Sequence, residues 1–290
     1  MTSTFDASWG LLALASWGVA DYLARSNAAR IGSNSTSLLV QAIGLVLPLA
    51  YLAAVLPGSD REVDWATLAY AAPLAALFLG TGYAVYYRGL HVGSVSVVSA
   101  MASAWLLVSV LIAVLFLGET IGAGDAALIG VVMGGIGLLS VQRTTRHGTS
   151  TGTGYGVASM LTLGAAFALW KPLTDAGGPA LAVVLVRTLS SVGLWVFMRL
   201  AHSKVVLPAG GHAWRLLLWA ATLDALGYVA YNVGLDRAPL TLIAPLGAAH
   251  PVATVALAWW LLRERPTRTQ ALGIGVTVAG VIVLSAMSGA

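Results

Sequence analysis

Apolar runs of about twenty residues recur ten times along this chain, separated by short stretches that carry its polar residues, glycines and prolines. A helix rising 1.5 Å per residue crosses roughly 30 Å of hydrocarbon in that length. The first five runs are expected at residues 9–25, 36–56, 65–90, 94–117 and 122–141, and the second five at 154–173, 180–200, 213–235, 240–262 and 267–287. None shows the strict apolar–polar alternation of a β-barrel strand, and a segment in lipid must satisfy its own backbone, so the pattern predicts α-helices. The expected fold is an all-α integral membrane protein with ten transmembrane helices.

The two sets of five repeat one another. Gly82, Tyr83, Tyr86, Gly89 and Leu90 return 145 positions later as Gly227, Tyr228, Tyr231, Gly234 and Leu235. At the same offset Ala104 falls on Ala249, Glu119 on Glu264 and Gly135 on Gly280; an offset of 146 brings Gly10 onto Gly156, Gly18 onto Gly164 and Gln41 onto Arg187. Residues 1–142 and 154–290 are therefore read as two five-helix repeats joined by a linker at 143–153. An odd number of helices per repeat makes equivalent helices cross in opposite directions, which is an inverted repeat, and duplicated halves of this kind commonly enclose a transport site at their interface.

Composition agrees with the pattern. Hydrophobic residues form 58% of the 290-residue chain and charged residues 9%, against about 25% charged in soluble domains, and the mean hydropathy is +0.86. Met1 to Ser8 has no basic residue, so the first apolar run is expected to be retained and not cleaved as a signal. Cysteine is absent, which excludes disulfides and thiolate metal ligands. The formal charge of +4 reads as a topology signal and calls for no nucleic-acid partner. Eleven basic residues, from Arg25 and Arg30 through Arg199, Lys204 and Arg215 to Arg268, fall on one side of the membrane, and only Arg61, Lys171 and Arg237 fall on the other. The positive-inside rule then puts both termini outside, in a multi-pass protein of the cell membrane, or the inner membrane of a bacterium.

The chain resembles the drug/metabolite transporter superfamily, in its ten-helix branch with two EamA domains. The likeness rests on Trp17 and Gly18 in helix 1, on Leu117-Gly118-Glu119 and Leu262-Arg263-Glu264 after helices 4 and 9, and on glycine-rich helices 5 and 10, and it covers essentially the whole chain. It implies transport of small metabolites or drugs, and it implies termini in the cytoplasm, opposite to the charge count. Helix 9 carries His250 before Pro251, while helix 4 has Trp105 and Leu106 and lacks the proline, which makes the halves unequal at that bend.

Polar residues at membrane depth supply the candidate chemistry. A charged side chain at a helix centre costs about 2.5–3.5 kcal/mol on insertion, so Arg187, Asp224 and His250 are expected to face the bundle interior. Arg187 reads either as a clamp for a substrate carboxylate or as the ion-pair partner of Asp224; Asp224 reads as an amine ligand or proton carrier. His250 reads either as a hydrogen-bonding group between helices or as the candidate for proton coupling. Gln41 and Trp105 are the repeat counterparts of Arg187 and His250 and join the substrate-binding set. Tyr83 with Tyr86, and Tyr228 with Tyr231, lie three apart on one helix face and, with Asn232, offer hydroxyls, an amide and aromatic walls that attract cations. Asp21 and Arg25, four apart near the helix end, read as a local salt bridge or an interface anchor. Gly130 and Gly134 form a G-x-x-x-G that predicts close packing inside the protomer.

The function expected from these residues is a secondary transporter, an exporter or exchanger of small polar metabolites such as amino acids or related zwitterions, working by alternating access. A cationic drug or quaternary amine exporter is the alternative. No H-E-x-x-H, nucleophile elbow or nucleotide-binding loop occurs, so neither an enzyme, a metal nor a cofactor is expected. The expected partners are the cargo, the lipid bilayer and protons.

Overall fold

The computed structural model describes residues 4–92, 101–102, 104–140, 149–262 and 267–287. Glu264, Arg263, Arg265 and the linker residues Arg143 and Arg146 lie outside this set, as do the side chains of Arg25 and Tyr87. Among the described residues there are helices and no strands. They are α1 (Thr4–Ile31), α2 (Ser33–Ile43), α3 (Val46–Val55), α4 (Trp65–Val92), α5 (Trp105–Phe116), α6 (Ala123–Ser140), α7 (Thr149–Leu200), α8 (Gly211–Arg237), α9 (Leu240–Ala248), α10 (His250–Leu262) and α11 (Arg268–Met287). With α2 and α3 in line, α9 and α10 in line, and α7 counted as two rods, they form ten crossings of the bilayer. The ten-helix, two-repeat membrane fold read from the apolar pattern is the fold observed.

Glycine makes the same corner in both repeats. Gly32, between α1 and α2, has φ 80° and ψ 156°. Gly178, 146 positions later, has φ 81° and ψ 163° and divides α7 into two rods. Only glycine takes this backbone region without strain, and Pro179 then starts the second rod at the position where its missing N–H is harmless. Helices 6 and 7 are thus joined by a corner, with no loop between residues 173 and 180.

The helix-4 and helix-9 bends are also equivalent. Ala104 has φ −76° and ψ 6°, and Ala249 has φ −77° and ψ 2°. Around each the backbone tightens to bonds three residues long: Ala104 N–H to Met101 and Leu107 N–H to Ala104, matched by Ala249 N–H to Leu246 and Val252 N–H to Ala249. The inequality expected from the missing proline is therefore corrected. Both bends are short 3₁₀ steps, which a run of small residues permits without proline.

The repeats interlock. A side chain on Gly10 of α1 would come within 2.7 Å of Leu246 Cβ on α9, and one on Gly156 of α7 within 2.8 Å of Met101 Cβ; these are equivalent contacts at the repeat offset, so the first helix of each repeat packs on the broken fourth helix of the other. Buried Ala71, Ala72, Ala75 and Ala76 give α4 a small-residue face, which lets backbones approach closely, as membrane helices require. Leu77, Leu111, Phe116, Val192, Trp219 and Ile282 are among the large apolar side chains left exposed, as expected of a surface facing acyl chains.

The G-x-x-x-G reading needs correction. A Cβ on Gly130 or Gly134 would meet nothing within 4 Å, whereas one on Gly135 would collide with Thr277 of α11, and one on Gly280 with Val132 of α6. The close α6–α11 contact is therefore made one helix face away, at the repeat-equivalent pair Gly135 and Gly280.

Helix starts on the Arg61 side are capped from side chains. Asp64 accepts from Thr67 N–H at 3.1 Å and from its hydroxyl at 2.5 Å, and these bonds, the side-chain one first, hold the Asp64 carboxyl below the usual carboxylate range. Glu119, in the loop after α5, accepts from the Leu240 and Thr241 N–H groups at 2.6 and 2.9 Å. It therefore caps α9 of the opposite repeat, which gives a physical role to the Leu-x-Glu signature. Glu119→Ala is expected to lower stability by about 1.5–3 kcal/mol, the range for hydrogen bonds to a charged group. Glu119→Gln, which keeps one acceptor, should lose less. Thermal unfolding in detergent checks both, and an alanine variant as stable as the wild type would exclude the capping role.

Candidate functional site

Arg187, Asp224, Gln41, Tyr83 and Tyr228 converge on one cavity between the repeats, which also takes in Asp21 and Ala24 of α1, Thr36, Ser37 and Val40 of α2, Leu79 of α4 and Ala220 of α8. Its volume is about 70 Å³, room for a few waters and well below the roughly 300–1,000 Å³ of a ligand pocket. The lining comes from the ends of α1, α2 and α8 nearer Arg30 and Arg215, so the cavity lies toward the side rich in basic residues.

Two pairs of repeat-equivalent residues meet here. Arg187 Nη2 donates to the carbonyl of its own counterpart, Gln41, at 3.4 Å and to Val40 at 3.0 Å. Tyr83 and Tyr228, 145 positions apart, are hydrogen-bonded through their side chains. Equivalent residues in an inverted repeat touch one another only at the pseudo-two-fold axis, so the cavity sits on that axis, where a transporter of this architecture binds its cargo.

The Arg187 guanidinium is engaged through both terminal nitrogens. Nη1 pairs with Asp224 Oδ2 at 2.6 Å, and the side chain is 1% exposed. The charge also lies 5.3 Å from the Tyr228 ring centroid. The break between α2 and α3 provides its acceptors: Leu45 N–H turns to Ala42 instead of continuing the helix, leaving the Gln41 carbonyl to Arg187. Gly44 is required at this point, because a Cβ there would collide with the guanidinium and with the Ala221 carbonyl. Of the two readings of Arg187, the geometry is the ion pair. Arg187 Nε and Gln41 Oε1 are buried without a partner among the described residues.

Asp21 is the carboxylate left open to the cavity. Its side chain is 56% exposed and Oδ2 lies 3.3 Å from His250 Nε2, while His250 Nδ1 faces the Gly247 carbonyl at 3.1 Å. Asp21 and His250 thus form a pair joining α1 to α10, while the expected Asp21–Arg25 bridge falls on a side chain outside the described residues. Sequence reading passed over Asp21 as a site residue. The available signal was its place one turn after Trp17, on the same face of α1.

Beyond the cavity, toward the Arg61 side, the remaining candidates form a layer of rings. Trp105 stacks on Phe167 with centroids 4.0 Å apart, Trp17 meets Tyr228 at 5.1 Å and Tyr231 at 5.5 Å, and Trp17 lies 6.1 Å from His250. Trp105 and Tyr231 therefore belong to this aromatic layer and not to the cavity lining. Tyr86, one turn further along α4, does not line the cavity either. Asn232 is held below the layer, accepting from the Thr174 hydroxyl at 2.7 Å and donating to the Tyr228 carbonyl at 2.9 Å.

The same side is fastened across the repeats. Arg61 pairs with Asp236 at 2.6 Å and donates to the Thr174 carbonyl at 2.9 Å, and Asp64 N–H donates to Ala176. With Glu119 on α9, these bonds close the protein on the Arg61 side.

Comparison with known proteins agrees with this architecture. No curated protein matches the sequence. A solved crystal structure 17% identical to this chain superposes with a TM-score of 0.80 over 99% of this chain and 98% of its own, which establishes a shared fold. The sequence pattern of the EamA-like transporter family matches twice, over residues 5–141 and 150–286. A duplicated helical membrane protein with a polar cavity on its internal axis, matched along nearly its whole length in both repeats, belongs to the EamA-like transporter family.

Proposed function

We propose that this membrane transporter of small molecules is a secondary exporter or exchanger whose cargo carries a cationic amine, bound on the internal axis between Asp21 and the rings of Tyr83 and Tyr228. The observation that carries the reading is the inequality of the charges: Arg187 is consumed by Asp224 and two backbone carbonyls, whereas Asp21 is exposed to the cavity. A carboxylate facing aromatic walls attracts an ammonium through charge and ring electrons together. The cavity must widen to admit such a cargo, which is the expansion expected of a transporter between its states.

Amino acids and other zwitterions remain within this reading, since Arg187 Nε and Gln41 Oε1 have no described partner and border the same space. A cargo carboxylate would draw Arg187 away from Asp224. The Asp21–His250 contact supports exchange for protons: an ammonium arriving at Asp21 competes with a protonated imidazole. By the charge count, the cavity side is cytoplasmic and the fastened side external, which suits export. Because the repeats interlock, the moving bodies combine helices of both halves.

Flux into proteoliposomes tests the proposal with three labelled probes: a quaternary amine, a neutral amino acid and a monocarboxylic acid. The amine, with or without the amino acid, should be carried and the acid excluded. Asp21→Asn should reduce amine uptake by roughly 10–100-fold, the worth of one charge-assisted contact in a site shielded from water. His250→Gln should remove the response to an imposed pH gradient. Undiminished amine flux in Asp21→Asn would eliminate the proposed carboxylate site.

A further inference from the structure

A second, larger hollow lies outside the transport axis, at the end of α7 and the start of the following loop. Its volume is about 610 Å³, and Trp195, Met198, Arg199, His202, Ser203, Lys204 and Val205 line it. Three of these side chains are basic or can become so, and no carboxylate pairs with any of them among the described residues. Arg199 instead lies over the Trp195 ring, 5.6 Å from its centroid.

Helix capping does not account for these groups. The end of α7 closes on its own backbone, with Ala201 N–H bonded to Phe197, His202 N–H to Arg199 and Ser203 N–H to Met198 at 2.8 Å. This is the pattern of a Schellman turn, in which backbone donors satisfy the last carbonyls. The basic side chains are therefore free for another anion.

The turn contains a conformational cost. His202 has φ 52°, the non-glycine residue with positive φ among those described, at the position where such turns favour glycine. His202 lines the hollow together with Arg199 and Lys204. Strain retained at one residue is a recurring mark of a binding site.

The surroundings identify the source of the anion. Leu189, Val192 and Val196 are exposed and, with Arg199, follow one another at three- and four-residue steps, forming one stripe of α7 that leads from the hydrocarbon to the hollow. After Lys204 the loop exposes Val206 and Leu207, and it is pinned to α2 by the Val206 N–H bond to Ser35 Oγ at 3.0 Å. Cations at the headgroup level, a tryptophan beside them and an apolar track below match the two ends of a phospholipid.

We infer that this hollow binds the phosphate headgroup of an anionic glycerophospholipid, with an acyl chain lying along the Leu189–Val196 stripe. The site is independent of the cargo cavity and of the proposed cargo. Thermal unfolding of the full chain in detergent tests it by titration with dioleoylphosphatidylglycerol, dioleoylphosphatidylcholine or glycerol phosphate. Phosphatidylglycerol should raise the midpoint more than phosphatidylcholine, and glycerol phosphate should leave it unchanged. In the Arg199→Gln/Lys204→Gln variant the half-saturating phosphatidylglycerol should rise about 25-fold, at about fivefold per basic residue near an anionic surface. His202→Gly should raise the lipid-free midpoint by relieving the backbone while diminishing the phosphatidylglycerol increment. Equal responses to the two lipids, or an unaltered response in the double variant, would overturn the inference; a full response to glycerol phosphate alone would overturn it in favour of a site for soluble anions.

Discussion

Asp224→Ala is expected to destabilise the protein by about 3–5 kcal/mol, the usual consequence of leaving one partner of a buried ion pair uncompensated. Arg187 has a side chain 1% exposed, so after loss of Asp224 its charge would keep only the Val40 and Gln41 carbonyls and the face of Tyr228. Neither carbonyl can neutralise it. The paired variant Arg187→Met/Asp224→Leu removes both charges and should recover most of the lost stability, because an apolar pair of similar volume replaces a desolvated ion pair at little net cost. Flux separates this structural contribution from function. The double variant should fold and yet transport poorly, since the polar wall facing Asp21 is gone. Unfolding midpoints in detergent, compared across the two single variants and the double, give the coupling energy directly. A double variant no more stable than Asp224→Ala would show that the pair does not act as a unit.

Gly44→Ala is expected to have the second largest effect, about 1–3 kcal/mol, although it adds one methyl group. The added Cβ would lie 2.9 Å from the Ala221 carbonyl oxygen and would strike the Arg187 guanidinium. A flexible side chain could turn aside, but a carbonyl belonging to α8 cannot move without the helix. The substitution therefore pushes α2 away from α8 and withdraws the Gln41 and Val40 carbonyls from Arg187. Gly130→Ala is the matched control. A Cβ there meets nothing within 4 Å, so the change should be neutral or favourable by up to about 1 kcal/mol, through improved helix propensity. Thermal midpoints of the two variants measure the contrast, and equal midpoints would refute the steric account of the α2–α8 contact.

Much of this was legible from the chain because the solvent imposes it. Hydrocarbon forces long apolar helices, and duplication leaves a register that can be counted. Charge at membrane depth singled out Arg187 and Asp224, and the register added Gln41, Tyr83 and Tyr228, all of which line the cavity. The register did not separate Tyr83 and Tyr228, at the cavity, from Tyr86, Tyr231 and Trp105, away from it. Which side of an internal aromatic layer a ring occupies depends on how neighbouring helices cross, and one-dimensional spacing carries no such information. Asp21 was passed over as a site residue for a related reason: the His250 that pairs with it approaches from a helix 229 positions away.

The glycines show the same division. The corner at Gly32 and its repeat at Gly178 follow from residue type and register, but the face on which α6 and α11 touch does not. The Gly130–Gly134 spacing was a valid motif on an unpartnered face, and Gly135 with Gly280 makes the contact. Bends at Ala104 and Ala249 appear with and without a following proline, because the interlocked packing of each first helix against the other repeat's fourth helix selects the break.

By itself the sequence determined the solvent, the number of the helices, the internal two-fold relation and the residue types that lipid would not tolerate. The tertiary structure alone decided that Arg187 is bound within the protein while Asp21 faces the cavity. Hydrophobicity and periodicity are properties of each segment and are felt locally. The pairing of a buried charge is fixed by contacts between segments that only the completed bundle brings together.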